Sequence, residues 1–268
     1  MESTELKEIL LSAVNASINA GDEILKIYES NFEVEFKDDN SPLTLADKKS
    51  NDAIYNALNS YNIPFLSEEG REIPYNERKA WDYLFIIDPL DGTKEFVKKN
   101  GEFTVNIALV KQNRPILGVI YCPVSRELFF SLINLGAYKT HAFDKFSDLN
   151  SLLNNAVELP KKHKRKKYIV VGSRSHMSKE TEAFFDQKKN EHDEVELLAI
   201  GSSLKICMVV EGKADAYPRY APTMEWDTAA GHAIANMAGF KILEYQSDEE
   251  IKYNKKSLLN PWFLVTKN

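Results

Sequence analysis

The stretch Trp81-Asp82-Tyr83-Leu84-Phe85-Ile86-Ile87-Asp88-Pro89-Leu90-Asp91-Gly92-Thr93-Lys94-Glu95-Phe96 decides how this chain folds and where its chemistry lies. Tyr83 to Ile87 is an unbroken apolar run bounded by charge, the pattern of a short strand buried on both faces. At its C-terminal end stand two carboxylates separated by a proline that fixes the backbone, with a glycine behind them that permits a turn. Asp88 and Asp91 can therefore converge on one point, with the Leu90 carbonyl facing it. Hard oxygen ligands in a rigid turn suit Mg²⁺. Gly92 and Thr93 then open a helix whose free amides favour a phosphate. A divalent cation beside a phosphate site implies phosphoester chemistry. The same Asp-Pro-x-Asp-Gly string is also ordinary turn chemistry, so the rest of the chain has to decide.

Working outward, three further acidic stations have the same ambiguity. Ile63-Pro64-Phe65-Leu66 reads as a short strand ending in Ser67-Glu68-Glu69-Gly70. Adjacent glutamates are usually a solvated turn, yet this pair repeats the arrangement at Asp88. Two such strand ends side by side would give the shared carboxylate cluster of a two-metal phosphatase, with ions about 3.5–4 Å apart. Asp47 lies near the start of a second helix, where a favourable charge in the first turn explains it. Asp227 precedes a helix beginning near Thr228, where N-capping explains it, at about 1 kcal/mol.

Composition narrows the function classes. At 268 residues, 43% hydrophobic and 28% charged, the chain can bury one large core or two fused subdomains. A net charge of -6 disfavours nucleic acid as the main partner. Cys122 and Cys207 are isolated in apolar surroundings, which predicts buried reduced thiols and a cytoplasmic protein. Neither a secretory leader nor an integral membrane segment is expected.

In chain order, apolar spacing predicts a long helix over residues 4–29, a strand at Phe32–Lys37, a turn at Asp38–Pro42 and a helix capped near Thr44. Strands at Phe103–Val110, Ile116–Tyr121 and Glu127–Ser131 follow as antiparallel hairpins, with Gly136–Tyr138 as a further edge. The polar stretch Thr140–Lys167, with its basic run Lys161 to Lys167, reads as the seam between an α+β subdomain of residues 1–150, carrying most metal ligands, and an α/β subdomain of residues 151–268. A solvated linker is the commoner meaning of such a run; binding to nucleic acid, for which no aromatic interleaving speaks, or weak peripheral binding to an anionic membrane surface are the others. Beyond the seam the pattern predicts strands at Tyr168–Gly172, Val195–Ile200, Ala214–Tyr217, Phe240–Tyr245 and Phe263–Thr266. Helices are predicted over Ser178–Lys189, Ser202–Glu211 and Thr228–Ala238.

Taken together, the stations are more specific than any one. Asp88-Pro89-Leu90-Asp91-Gly92-Thr93 resembles the metal motif of the lithium-sensitive, inositol monophosphatase-like phosphatases. Ser67-Glu68-Glu69 upstream and Trp226-Asp227-Thr228-Ala229-Ala230-Gly231 downstream match its other stations, and the likeness runs to Asn260-Pro261-Trp262-Phe263. Lys94-Glu95-Phe96, Gly101 to Leu109, Gly201-Ser202-Ser203-Leu204-Lys205 and Ala216-Tyr217-Pro218-Arg219 resemble the branch that acts on nucleotide bisphosphates. The basic seam is no part of that signature. The resemblance implies a layered α/β/α/β/α sugar-phosphatase fold with the site between two subdomains, and two or three Mg²⁺ ions held by Glu68, Asp88, the Leu90 carbonyl, Asp91 and Asp227. It makes Glu69 an outer support, pairs Asp47 with Thr93 around the attacking water, and gives the phosphate to the amides of Gly92 and Thr93. The implied reaction removes the 3'-phosphate of 3'-phosphoadenosine 5'-phosphate, or of its phosphosulfate, during sulfur assimilation. The alternative is an inositol or other sugar-phosphate phosphatase, and either enzyme would be a monomer or homodimer. For the second phosphate of a nucleotide, Lys205 and Arg174 are the candidates; both also read as solvated surface residues.

Overall fold

A computed structural model describes residues 1–30, 34–36, 42–161, 163, 165–172 and 178–267. Arg174, the ends of the expected Phe32–Lys37 strand, positions 38–41 of the expected turn, and Lys162 and Lys164 of the basic run lie outside the described residues.

The first half runs α1 (Ser3–Tyr28), β1 (Val34–Phe36), β2 (Pro42–Thr44), α2 (Leu45–Leu58), β3 (Phe65–Ser67), α3 (Tyr75–Arg78), β4 (Tyr83–Asp91), α4 (Thr93–Val97), β5 (Thr104–Lys111), β6 (Arg114–Cys122), β7 (Glu127–Leu132) and β8 (Gly136–His141). The second half runs α5 (Leu149–Asn154), β9 (Val157–Glu158), β10 (Tyr168–Gly172), α6 (Lys179–Glu191), β11 (Val195–Ala199), α7 (Leu204–Val210), β12 (Ala216–Arg219), α8 (Glu225–Met237), β13 (Phe240–Glu244) and β14 (Phe263–Lys267).

Two large sheets organise these elements, beside a two-stranded antiparallel β1-β2 pair. The larger has order β3-β4-β5-β6-β7-β8-β9, and the smaller β11-β10-β12-β14-β13. β3 runs parallel to β4, so the ends of both strands emerge together, whereas β4 to β9 are joined as antiparallel neighbours. Helices α1 and α2 cover one face of the large sheet, burying Ile9, Leu10, Val14, Ile18 and Ile24 from α1 alone. Each such side chain contributes about 1.5–3 kcal/mol by leaving water. Helices α7 and α8 fill the space between the sheets, and α6 lies outside the small one. The layers are therefore α/β/α/β/α, as expected. Among the described residues no helix is long and apolar enough to cross a membrane.

Three local expectations change. The strand before the acidic turn does not stop at Ile87: β4 continues to Asp91, with an irregularity in its pairing to β5 between Asp88 and Asp91. The bulge, not a free turn, aims the two carboxylates. The expected linker is partly folded, because α5 and β9 lie inside it and β9 pairs with β8. β8 is thus not the edge. Finally, α8 begins at Glu225, so Asp227 sits inside its first turn and is not the N-cap.

The small residues of α8 act as expected. A Cβ on Gly118 of β6 would stand 2.3 Å from the Ala230 carbonyl, and one on Gly231 would meet Ile206 of α7 at 2.6 Å. No side chain fits there, so α8 presses onto the large sheet and carries Asp227 toward the end of β4.

Candidate active site

Asp88 is almost fully buried, and its Oδ1 accepts the Leu90 amide at 3.1 Å. The Pro89 carbonyl accepts the hydroxyl of Ser50, from α2, at 2.6 Å. These bonds pin the bulge from inside and behind. Gly92 follows with φ +95°, where a Cβ would be strained and would stand 3.2 Å from the Glu102 carbonyl. It opens α4, a helix of only five residues, too short for a strong helix dipole. The Thr93 hydroxyl donates to the Leu90 carbonyl at 3.4 Å.

The opposite wall comes from the second half of the chain. Asp91 Oδ2 accepts the Ser203 amide at 2.5 Å and the Asn106 side-chain amide at 3.4 Å. The Ser203 hydroxyl bonds Asn106 Oδ1 and Thr104 Oγ1, each at 2.8 Å. This knot ties β5 to the start of α7. Asp227 reaches back to accept the Met224 amide at 2.9 Å, closing the first turn of its own helix.

Electrostatics show that these carboxylates share one field. Asp88 is held well above the ordinary carboxylate range, first by burial and then by the charges of Glu68, Asp91, Asp227 and Asp47. Asp227 is pushed from 3.8 to about 8 by burial and by Asp91 and Glu68. Asp91 is raised by burial, while Lys205, Ser203 and Asn106 pull it down. All the donors are oxygens, and their charge exceeds what the neighbouring lysine supplies, a set that fits hard divalent cations. Among the described residues, however, no three acidic, histidine or cysteine side chains stand close enough together to ligate a single ion as placed.

A cleft of about 180 Å³ opens beside this cluster, lined among others by Asp91, Gly92, Lys205, Arg219 and Asp227. The structure brings together Asp47, Glu68, Asp88, Asp91 and Asp227, with Leu90, Gly92 and Thr93 between them. Glu69 follows Glu68 at the end of β3 and is half-buried. Lys205 is no solvated surface residue: it is buried, its Nζ donates to the Ile200 carbonyl at 3.5 Å, and burial lowers its pKa despite Asp91. Sequence reasoning missed Arg219 as a site residue. It stands at the end of β12 as Asp88 stands near the end of β4, and its Nη2 donates to the Pro222 carbonyl while its buried Nε has no partner. A basic residue closing an apolar strand was the available signal. Lys94, Tyr217 and Thr223 line the same cleft without having been singled out for it.

With this geometry in view, comparison with known proteins is specific. The profile of the inositol monophosphatase family matches residues 5–264. The 3'(2'),5'-bisphosphate nucleotidase CysQ of Salmonella typhimurium is 40% identical over 252 residues, covering 92% of this chain and 95% of that protein. CysQ of Escherichia coli is 40% identical over 255 residues with the same shares. The crystal structure of CysQ from Bacteroides thetaiotaomicron superposes with a TM-score of 0.90 at 49% identity, covering 97% of each chain. The suhB protein of Bartonella henselae shares the fold, with a TM-score of 0.74 at 24% identity over 97% of this chain and 94% of that one.

Proposed function

The chain belongs to the inositol monophosphatase family, and from that premise we propose that it is a Mg²⁺-dependent 3'(2'),5'-bisphosphate nucleotidase. Its reaction would release the 3'-phosphate of 3'-phosphoadenosine 5'-phosphate as inorganic phosphate, leaving AMP, in the cytoplasm and in support of sulfur assimilation. The observation that carries this reading is the likeness to CysQ proteins at 40% and 49% identity over nearly the whole chain. The inositol phosphatase alternative is not favoured, since the inositol monophosphatase of Anabaena is 23% identical and so speaks to fold alone.

Glu68, Asp88, the Leu90 carbonyl, Asp91 and Asp227 would hold two or three Mg²⁺ ions, with Glu69 supporting from behind. Bound there, such ions would supply Lewis acidity to a water and to the leaving oxygen of the ester. The chain itself supplies position. Asp47 is buried in the first turn of α2 and within electrostatic reach of Asp88. With Thr93 it would orient the attacking water. The Gly92 and Thr93 amides would take the phosphate oxygens, and preorganised donors cost no reorganisation in the transition state. Lys205 and Arg219, both facing the cleft, give a second anionic group a cationic wall. Arg174 remains a candidate of the same kind. The cleft would lie between subdomains of residues 1–150 and 151–268. A monomer or homodimer, with lithium competing at a magnesium position, completes the reading.

The test is phosphate release with Mg²⁺ from 3'-phosphoadenosine 5'-phosphate and, separately, from inositol 1-phosphate. The bisphosphate should be much the better substrate by kcat/KM. A preference for the inositol ester would overturn the assignment.

A further inference from the structure

His232 is completely buried in α8, five residues beyond Asp227, and the reaction described above makes no use of it. Both ring nitrogens are engaged: Nδ1 lies 3.1 Å from the Tyr253 hydroxyl, and Nε2 lies 3.2 Å from Glu250 Oε2. From Tyr253 the contacts continue inward. Its hydroxyl is 3.2 Å from Thr228 Oγ1, which also accepts a side-chain N–H of Asn260 at 3.0 Å. The same Asn260 amide donates to the Met224 carbonyl at 2.7 Å, and the Met224 amide is the one held by Asp227. An unbroken run of hydrogen bonds thus joins the outer end of His232 to the turn that carries a cleft carboxylate.

Donor counting gives the run two settings. If the Tyr253 hydroxyl donates to Thr228, the Thr228 hydroxyl is free to donate to the Glu225 carbonyl, 3.3 Å away, tightening the first turn of α8. Tyr253 has then spent its only proton, so His232 must donate from Nδ1. Because Nε2 faces a carboxylate that also accepts from Asn236 and Arg114, it must donate as well, and the ring is an imidazolium. Removing the Nδ1 proton reverses the hydroxyls. Tyr253 then donates to His232, Thr228 donates to Tyr253, and the Glu225 carbonyl loses its side-chain donor. The charged and titratable groups facing the ring are Glu250 after β13, Arg114 of β6 and Tyr253. Burial favours the neutral ring, and the donors around Glu250 keep that carboxylate ionised.

We propose that His232 is a positioning residue whose protonation sets the direction of the Tyr253–Thr228 relay, and so how firmly the turn holding Asp227 is fixed. The inference rests on the metal-dependent reading above. It is tested with the metal alone, by titrating Mg²⁺ into the full chain from about pH 5 to 8 while following the amides of Met224 to Thr228 and the His232 Cε1–H by NMR. The apparent Mg²⁺ affinity should carry a step that coincides with the His232 titration, in the acid range where a buried histidine changes charge. Tyr253→Phe keeps the ring but cuts the relay, and His232→Gln keeps a neutral donor without the titration. Both should erase that step, with an affinity change of about 3–10-fold, the size of one lost hydrogen bond. A wild type that binds Mg²⁺ with no step at the His232 titration, or variants that retain the step and the affinity, would overturn the inference alone. A wild type that binds no Mg²⁺ would overturn the metal-dependent reading and this inference with it.

Discussion

Lys139, Glu127 and Glu211 lie between the large sheet and α7, in an interior comparable to that around Asp88 at the end of β4, and the two groups treat charge in opposite ways. Lys139 and Glu211 are each 5% exposed, and the Lys139 ammonium donates to Glu127 at 2.5 Å and to Glu211 at 2.9 Å. Burial works against every charge here, yet the hydrogen bonds and ion pairs outweigh it. Glu127 and Glu211 are held below the ordinary carboxylate range and Lys139 above its own. At Asp88 the neighbours are other carboxylates, and the shift runs upward. A buried charge that satisfies its neighbours is part of the scaffold, whereas one that repels them is kept for something else to neutralise. Several described residues of the basic seam also pair with carboxylates, but mostly at the surface, where each pair contributes little. Arg165 pairs with Asp215, Lys161 lies 3.8 Å from Glu211, and Lys167 lies near Glu194 and Glu196.

The largest expected effect tests the satisfied cluster. Lys139→Met leaves the quarter-exposed Glu127 and the buried Glu211 facing each other with Lys213, 2.9 Å from Glu211, as the close remaining cation, and breaking a buried pair costs up to about 3–5 kcal/mol. Chemical denaturation should show that loss, while the folded fraction keeps its kcat. A stability change below about 1 kcal/mol would place this cluster with ordinary surface pairs and remove the contrast. Asp88→Asn is the counterpart. Turnover should fall at least about 100-fold at saturating Mg²⁺, while the melting temperature of the metal-free protein stays level or rises because a repelling charge has gone. Near-normal turnover would show that Asp88 has no part in metal binding.

How far the sequence reveals all this follows the same division. β4 was legible because Tyr83 to Ile87 is apolar without interruption, and the carboxylates were legible because each closes or follows an apolar element. The bulge between Asp88 and Asp91 was not, since it depends on pairing with β5, a partner not fixed by local sequence. Asp227 could be read as an N-cap because it does bond an amide at the helix start, but it does so from the third helical position to Met224 N–H, and the start was misplaced by three residues from Thr228 to Glu225. Arg219 and the burial of Lys205 depend on the start of α7 and the end of β12 meeting the end of β4, which no local pattern encodes. Nor does periodicity reveal the Lys139 pairings, made between residues 12 and 72 positions apart.

A smaller effect sharpens the comparison at the cleft's cationic wall. Lys205 is buried beside Asp91, so it is satisfied from one side while facing the cleft from the other. Lys205→Met should raise KM for 3'-phosphoadenosine 5'-phosphate by about 10–100-fold, the range for losing a hydrogen bond to a charged group. Hydrolysis of 3'-AMP, which lacks the second phosphate, should change little. Equal losses on both substrates would assign Lys205 to Asp91 alone.

The smallest effect separates the two kinds of buried charge by the sign of a slope. Asp227 is raised from 3.8 to about 8 in the folded protein, so between those values the folded state binds more proton than the unfolded chain. Its contribution to stability therefore falls as pH rises through that window. Glu211 is lowered from its ordinary 4.5, so its contribution is present above that value and is lost as pH falls through the depressed folded one. Melting temperatures of chelator-treated protein, measured from about pH 3 to 9, should carry both slopes. Asp227→Asn should lessen the fall between about pH 4 and 8, the remainder belonging to Asp88 and Asp91, and raise the melting temperature near pH 8, whereas Glu211→Gln should flatten only the acid limb. If both substitutions altered the same limb with the same sign, the two sites would share one electrostatic character, and the distinction between scaffold charge and site charge would fail for this fold.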